Sequence, residues 1–188
     1  MKRSASLPLH VLAALLAVLL IPAVSSAETL TVMNNQGHSL PGTLRDAVYE
    51  AEDGDIIVFH HVLDGSTIHP EYTMMVEDKN LTFDASSLPN GITISGDSNK
   101  DGVGDLRVFD LSLGANVTMR AITIVDGKAD DGTGSGAGRG GLGGGAIYCN
   151  QSMLTLEQCT LSGNRAGNGS VDDGGGGSGG AISLFGGR

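Results

Sequence analysis

VTMRAITI, residues 117–124, contains two strand-like triplets, Val117-Thr118-Met119 and Ile122-Thr123-Ile124, separated only by Arg120-Ala121. Each triplet turns two apolar side chains to one face and a threonine to the other, as in a half-buried strand with a β-branched residue outside. The two residues between them carry no hairpin turn signal, so they read as a bend. The pair recurs twice: Leu81-Thr82-Phe83 with Ile92-Thr93-Ile94, and Leu154-Thr155-Leu156 with Cys159-Thr160-Leu161. The blocks begin at 81, 117 and 154, spacings of 36 and 37.

The first block carries an extra loop, Ala85 to Gly91, where the other two have the short bend. A further apolar stretch precedes each later block, Val108-Phe109 and Ala146-Ile147-Tyr148, and Ala181-Ile182-Ser183-Leu184 opens another. Three short strands per period with no helix between them predict an all-β fold, a parallel β-helix in which stacked coils share one core. A β-sandwich would need hairpin turns at even spacing, and these are missing. Glycine is concentrated late, 21 of 30 in residues 127–188. The runs 127–145 and 167–180 fall at one corner of successive coils and read as loop insertions.

Residues 28–60 form a different unit, read as an N-terminal cap of strand, short helix and strand, with the coils filling 61–188. Leu30-Thr31-Val32 is strand-like, and Thr43 with Asp46 resembles a helix capping box. Leu44, Ala47, Val48 and Ala51 share one helical face, and Asp53-Gly54-Asp55 stops the helix before the strand Ile56-Ile57-Val58-Phe59. Such a helix would shield the open end of a solenoid from edge-to-edge association.

Ahead of this, residues 1–27 have the form of an export signal: Lys2 and Arg3, an apolar run from Leu12 to Val24, and small residues before Glu28. No other stretch approaches the length of a membrane span. Removal of the signal leaves nine basic against 21 acidic residues, a formal −12. That balance argues against nucleic acid and anionic membranes as partners. Cys149 and Cys159 are expected to be two buried free thiols, pointing inward from different sides of the lumen.

The sharpest chemical signal is DSNKDGVGD, residues 97–105. Oxygen donors at alternate positions followed by a glycine are how a chain wraps calcium. Asp97, Asn99 and Asp101 would ligate by side chain, Val103 by its carbonyl and Asp105 directly or through water, with Asp110 completing the shell. Val108 stands where an EF-hand needs its glutamate, and the flanks are strand-like, so the ion would be a structural staple between coils. A polar turn is the competing reading.

Other motifs carry less. His60, His61 and His69 have no converging zinc ligands and read as strand-end residues. Gly136, Gly138 and Gly141 fit GxGxxG without a following helix, so a dinucleotide site is rejected. Asn80, Asn116, Asn150 and Asn168 begin glycosylation sequons that have no meaning in a bacterial source, which is the expected one.

Pro41 through Phe59 resembles the N-terminal cap of exported bacterial right-handed β-helix proteins of the pectin-lyase-like fold. Gly144-Gly145-Ala146-Ile147 and Gly179-Gly180-Ala181-Ile182 resemble the GGAI motif of polymorphic outer membrane proteins. Leu161-Ser162-Gly163-Asn164 resembles their FxxN motif, with leucine in place of phenylalanine. The resemblance implies an extracellular or cell-surface passenger without catalysis, adhesin-like, meeting a host surface or extracellular polysaccharide. It also implies a C-terminal transporter barrel, so the chain is expected to be truncated at Arg188, partway through a coil.

A polysaccharide lyase or glycosidase on the same fold is the alternative, with Asp84, Asp110, Arg120 and Asp126 as candidates; a carbohydrate-binding module is a third. The coil alignment stacks Arg120 on Glu157, which reads as an exposed ion pair on the wall.

Overall fold

The computed structural model describes residues 26–132, 141–169 and 175–186. Nearly all of the expected export signal, and the middle of both glycine-rich loops, lie outside the described residues. The chain forms β1 (Thr29–Val32), α1 (Leu44–Glu50), β2 (Ile56–Phe59), a 3-10 turn (His61–Leu63), β3 (Thr67–Ile68) and β4 (Met74–Glu77). The repeated part contributes β5 (Asn80–Asp84), β6 (Ile92–Ser95), β7 (Phe109–Ser112), β8 (Asn116–Arg120) and β9 (Ile122–Val125). It ends with β10 (Ile147–Asn150), β11 (Met153–Glu157), β12 (Thr160–Ser162) and β13 (Ile182–Phe185).

Every strand pairing is parallel. Sheet A runs β1-β2-β5-β8-β11, sheet B β3-β6-β9-β12 and sheet C β4-β7-β10-β13. From β4 onward the chain visits C, A and B in strict rotation. The protein is therefore mostly β, with three stacked parallel sheets, as an all-β parallel solenoid requires.

The sequence blocks fall in register. Leu81, Val117 and Leu154 stand in one rank of sheet A, and Phe83, Met119 and Leu156 in another. Ile94, Ile124 and Leu161 align in sheet B. In the first two blocks these side chains are buried, and Phe83 meets Phe109 across the lumen edge to face, ring centroids 5.4 Å apart. The bend between sheets A and B is made by one left-handed residue, Ala121 (φ 54°) or Gln158 (φ 55°), with Gly91 (φ 68°) ending the longer loop of the first block. A left-handed residue turns the strand sharply without reversing it, so the next strand enters a new sheet.

The helix α1 starts where the Thr43 and Asp46 pair was expected to begin one. Thr43 Oγ1 accepts from the Asp46 amide (3.2 Å), and Leu44, Ala47, Val48 and Ala51 are buried. Two strands had no counterpart in the sequence reading. β3 is only Thr67-Ile68, and β4 (Met-Met-Val-Glu) lacks the outward threonine of the paired triplets.

One expectation is corrected. Both cysteines are free, but only Cys149 is fully buried, while Cys159 is partly buried against the core. Leu154, Leu156 and Leu161 in the same coil are also only partly buried, because beyond that coil the described residues continue in sheet C alone, as β13.

Candidate functional site

The corner between sheets B and C is where the chain departs from minimal turns. After a short first crossing at 69–73, the connections there cover residues 96–108, 126–146 and 163–181. Their described parts are laid on one another by main-chain hydrogen bonds: Lys128 N to Leu106 O, Ala129 N to Arg165 O, Gly132 N to Asn168 O and Gly167 N to Leu142 O, all 2.8–3.0 Å. Glycine is needed because the layers are too close for side chains. A Cβ on Gly141 would overlap the Gly167 carbonyl, and one on Gly145 the Arg165 carbonyl. Gly144, Gly145 and Ala146 donate to the carbonyls of Gly179, Gly180 and Ala181, so the two Gly-Gly-Ala-Ile segments stack one coil apart. Asn164 joins the same stack, its Oδ1 accepting from Gly127 N (2.8 Å) and its Nδ2 donating to Ile124 O (3.0 Å).

The loop 97–105 is the first layer at this corner. Asp97 is buried; its Oδ1 accepts from Asp101 N (3.0 Å) and its Oδ2 from Gly102 N (2.9 Å). Asn99 Oδ1 accepts from Asp101 N and Asp101 Oδ1 from Val103 N, both at 2.9 Å. Asp105 Oδ2 accepts from the Ser98 hydroxyl and from the amides of Ser98 and Asn99. The Asn99 amide nitrogen reaches both Asp101 (3.2 Å) and Asp105 (3.4 Å). Gly96 and Gly104 press against the backbone of Gly127 and Asp126, which locks the loop under the next coil. The donors are the oxygens that calcium takes, but each sequence-predicted side chain also satisfies its own loop. Among the described residues no group of three or more His, Cys, Asp or Glu side chains is placed to hold a metal.

Asp110 does not turn toward that loop. Its Oδ2 lies 2.9 Å from Arg107 Nη1 on the outer face of sheet C. Arg107 also donates to the carbonyls of Gly143 and Gly144 and stacks over Tyr148, 4.8 Å to the ring centre. Burial pushes the Asp110 carboxyl above the usual range against the opposing pull of Arg107, with Glu77 adding to the rise. Burial, with Asp110 adding, pushes the Cys149 thiol up to about 11, so it is no nucleophile at neutral pH.

The remaining enzyme candidates separate. Asp84, Arg120 and Glu157 form an outward ladder on sheet A, with Arg120 2.6 Å from Glu157 and 3.7 Å from Asp84. Asp126 lies off that ladder, at the left-handed corner after β9. Outward threonines surround the ladder: Thr82, Thr118 and Thr155 on sheet A, and Thr67, Thr93, Thr123 and Thr160 on sheet B, each set in register. The histidines sit at strand ends, as read. His69 Nδ1 is 2.6 Å from Asp97 O, and the His60 and His61 rings lie 4.1 Å apart.

Sequence reasoning overlooked a recurrent corner clasp. In Asp53-Gly54 and Asp64-Gly65 the carboxylate accepts from the amide of an asparagine in the next coil, Asn80 or Asn90. The adjacent glycine donates back, Gly54 to Asn80 O and Gly65 to Gly91 O. Asp131-Gly132 does the same with Asn168. Repeated Asp-Gly dipeptides were the available signal. Comparison of the chain with family models, curated proteins and solved structures finds no match.

Proposed function

We propose that this is a right-handed parallel β-helix, exported, that displays the loops of one corner to an extracellular polysaccharide or host surface without catalysing a reaction on it. The observation that carries this reading is that the connections 96–108, 126–146 and 163–181, all at the corner between sheets B and C, are the longest that link one described sheet to another. Stacked glycine backbone makes that corner a firm ledge, the form suited to presenting loops from a fixed scaffold. The pairing of the outward charges speaks against the polysaccharide-active alternative. Arg120 is held by Glu157, and Arg107 is held by Asp110 and two carbonyls. Nucleic acid is not a partner on this reading, given a net charge of −10.

The reading extends to calcium at Asp97, Asn99, Asp101, the Val103 carbonyl and Asp105, as a brace between coils. Its support is the alternating oxygen donors and the position of the loop under the next coil.

The deciding experiment incubates the protein with polygalacturonate and a panel of neutral polysaccharides. Binding is followed by co-sedimentation, and turnover by ultraviolet absorbance and reducing ends. Retention on at least one polymer or on intact cells, without new ends, is expected. Release of unsaturated or reducing oligosaccharides would replace the display reading with the enzyme.

A further inference from the structure

Sheet C ends at β4, which pairs with β7 on one side and, among the described residues, with no strand on the other. Met74 N donates to Val108 O (2.9 Å) and Asp78 N to Ser112 O (3.3 Å). Positions 74, 76 and 78 therefore direct their main-chain groups at β7. Strand alternation turns those of Thr73, Met75 and Glu77 to the open side. Arg45 of α1 closes the start of this edge: its Nη1 donates to Tyr72 O (3.2 Å) and Thr73 O (3.4 Å), and its guanidinium lies 5.1 Å over the Tyr72 ring. The N–H and C=O groups of Met75 and Glu77 lie past that plug.

This edge forms one wall of a groove of about 420 Å³ between α1 and β4, lined among others by Arg45, Val48, Tyr49, Met75, Glu77 and Lys79. Tyr49 and Met75 are 78% and 60% exposed, so the groove has an apolar rim as well as an open hydrogen-bonding edge. Its charge runs against that of the chain, which is −10 overall. Arg107, Arg120 and Lys128 are ion-paired, whereas among the described residues neither Arg45 nor Lys79 is; Lys79 Nζ donates to the Ala51 carbonyl. Two cations without carboxylate partners thus share one groove with a single carboxylate, Glu77.

We propose that the open edge of β4 accepts an extended acidic peptide segment of another protein as an added strand. Main-chain hydrogen bonds to Met75 and Glu77 would hold the peptide, as in other cases of strand addition. Its carboxylates meet Arg45 and Lys79, and an apolar side chain of alternate parity rests between Tyr49 and Met75. Only four residues of edge are on offer, so the interaction is weak and salt-sensitive. This inference is independent of the display reading, which concerns a different corner.

The test uses the full chain and a fluorescein-labelled hexapeptide, EVEVTV, in anisotropy titrations. Met75→Pro removes one outward amide and leaves the β7 ladder intact, while Lys79→Glu reverses a groove charge; circular dichroism checks that each folds. Saturable binding is expected, weakened about tenfold by either substitution, by N-methylating alternate peptide amides, or by exchanging the glutamates for lysines. Equal binding of the N-methylated peptide, or no saturation by about 1 mM, overturns the proposal. So does an acidic oligosaccharide that occupies the groove when the peptide does not. If Met75→Pro fails to fold, the N-methylated peptide and Lys79→Glu still decide.

Discussion

Gly102 and Gly104 stand two positions apart in one loop and are glycine for different reasons. Gly102 has φ 87° with open space where a Cβ would be, so its requirement is conformational. At Gly104 a Cβ would overlap the Asp126 carbonyl of the next coil, so its requirement is proximity. Gly102→Ala is expected to cost about 1 kcal/mol in urea unfolding, through left-handed strain alone. Gly104→Ala should cost about 1–3 kcal/mol, because backbone must move to admit the methyl group. Equal losses would contradict the packing of loop on coil. Asn164 carries the same lesson about motifs. In the sequence it was one letter of a family resemblance, but its amide fills both an orphan N–H and an orphan C=O of the coil before it. The spacing located it, and only the structure supplies the reason.

The strands whose apolar and threonine positions alternate were legible because a period of two survives any twist of the sheet. β5, β8 and β11 fall in the register that the block spacing implied. β3 and β4 were illegible because two residues define no period, and because the outward Met75 breaks the apolar-in, polar-out alternation of β4. The loop 97–105 was legible as a donor pattern, but not in how its side chains divide between the backbone and an ion. That division can be measured. If calcium binds there, a chelator should lower the melting temperature by several degrees, since a ligand at a hundredfold excess over Kd adds about 2.7 kcal/mol. Asp101→Ala should then melt like the chelated protein and no longer respond to chelator. A wild type indifferent to chelator would leave the loop a turn closed by its own hydrogen bonds.

Coil-to-coil fastening gives the solenoid a pH dependence of definite sign. Asp53 is held below the usual carboxylate range by the backbone and side-chain amides of Asn80. Asp131 is held down by Lys128 and then by the Asn168 amide. At Asp84 burial pushes upward, but Ser86 and Arg120 together outweigh it. These three lowered carboxyls favour the fold above the unfolded value of about 4, and that contribution disappears as pH falls through their lower folded values. Asp110 is raised, so its contribution has the opposite sign: full below the unfolded value and lost as pH rises through the folded one. Acidification from neutral pH should therefore bring a small gain from Asp110 and then, below about pH 4, a larger loss. Asp53, Asp84 and Asp131 each contact a residue of the following coil, so the acid limb should report loosening along the stack and not at one site. Asp53→Asn, Asp84→Asn and Asp131→Asn combined should flatten that limb in melting temperatures followed by far-ultraviolet circular dichroism. Asp110→Asn should remove only the early gain. An unchanged acid limb in the triple variant would mean that these corner carboxylates do not fasten the coils, and that the core and main-chain ladders alone set the acid stability.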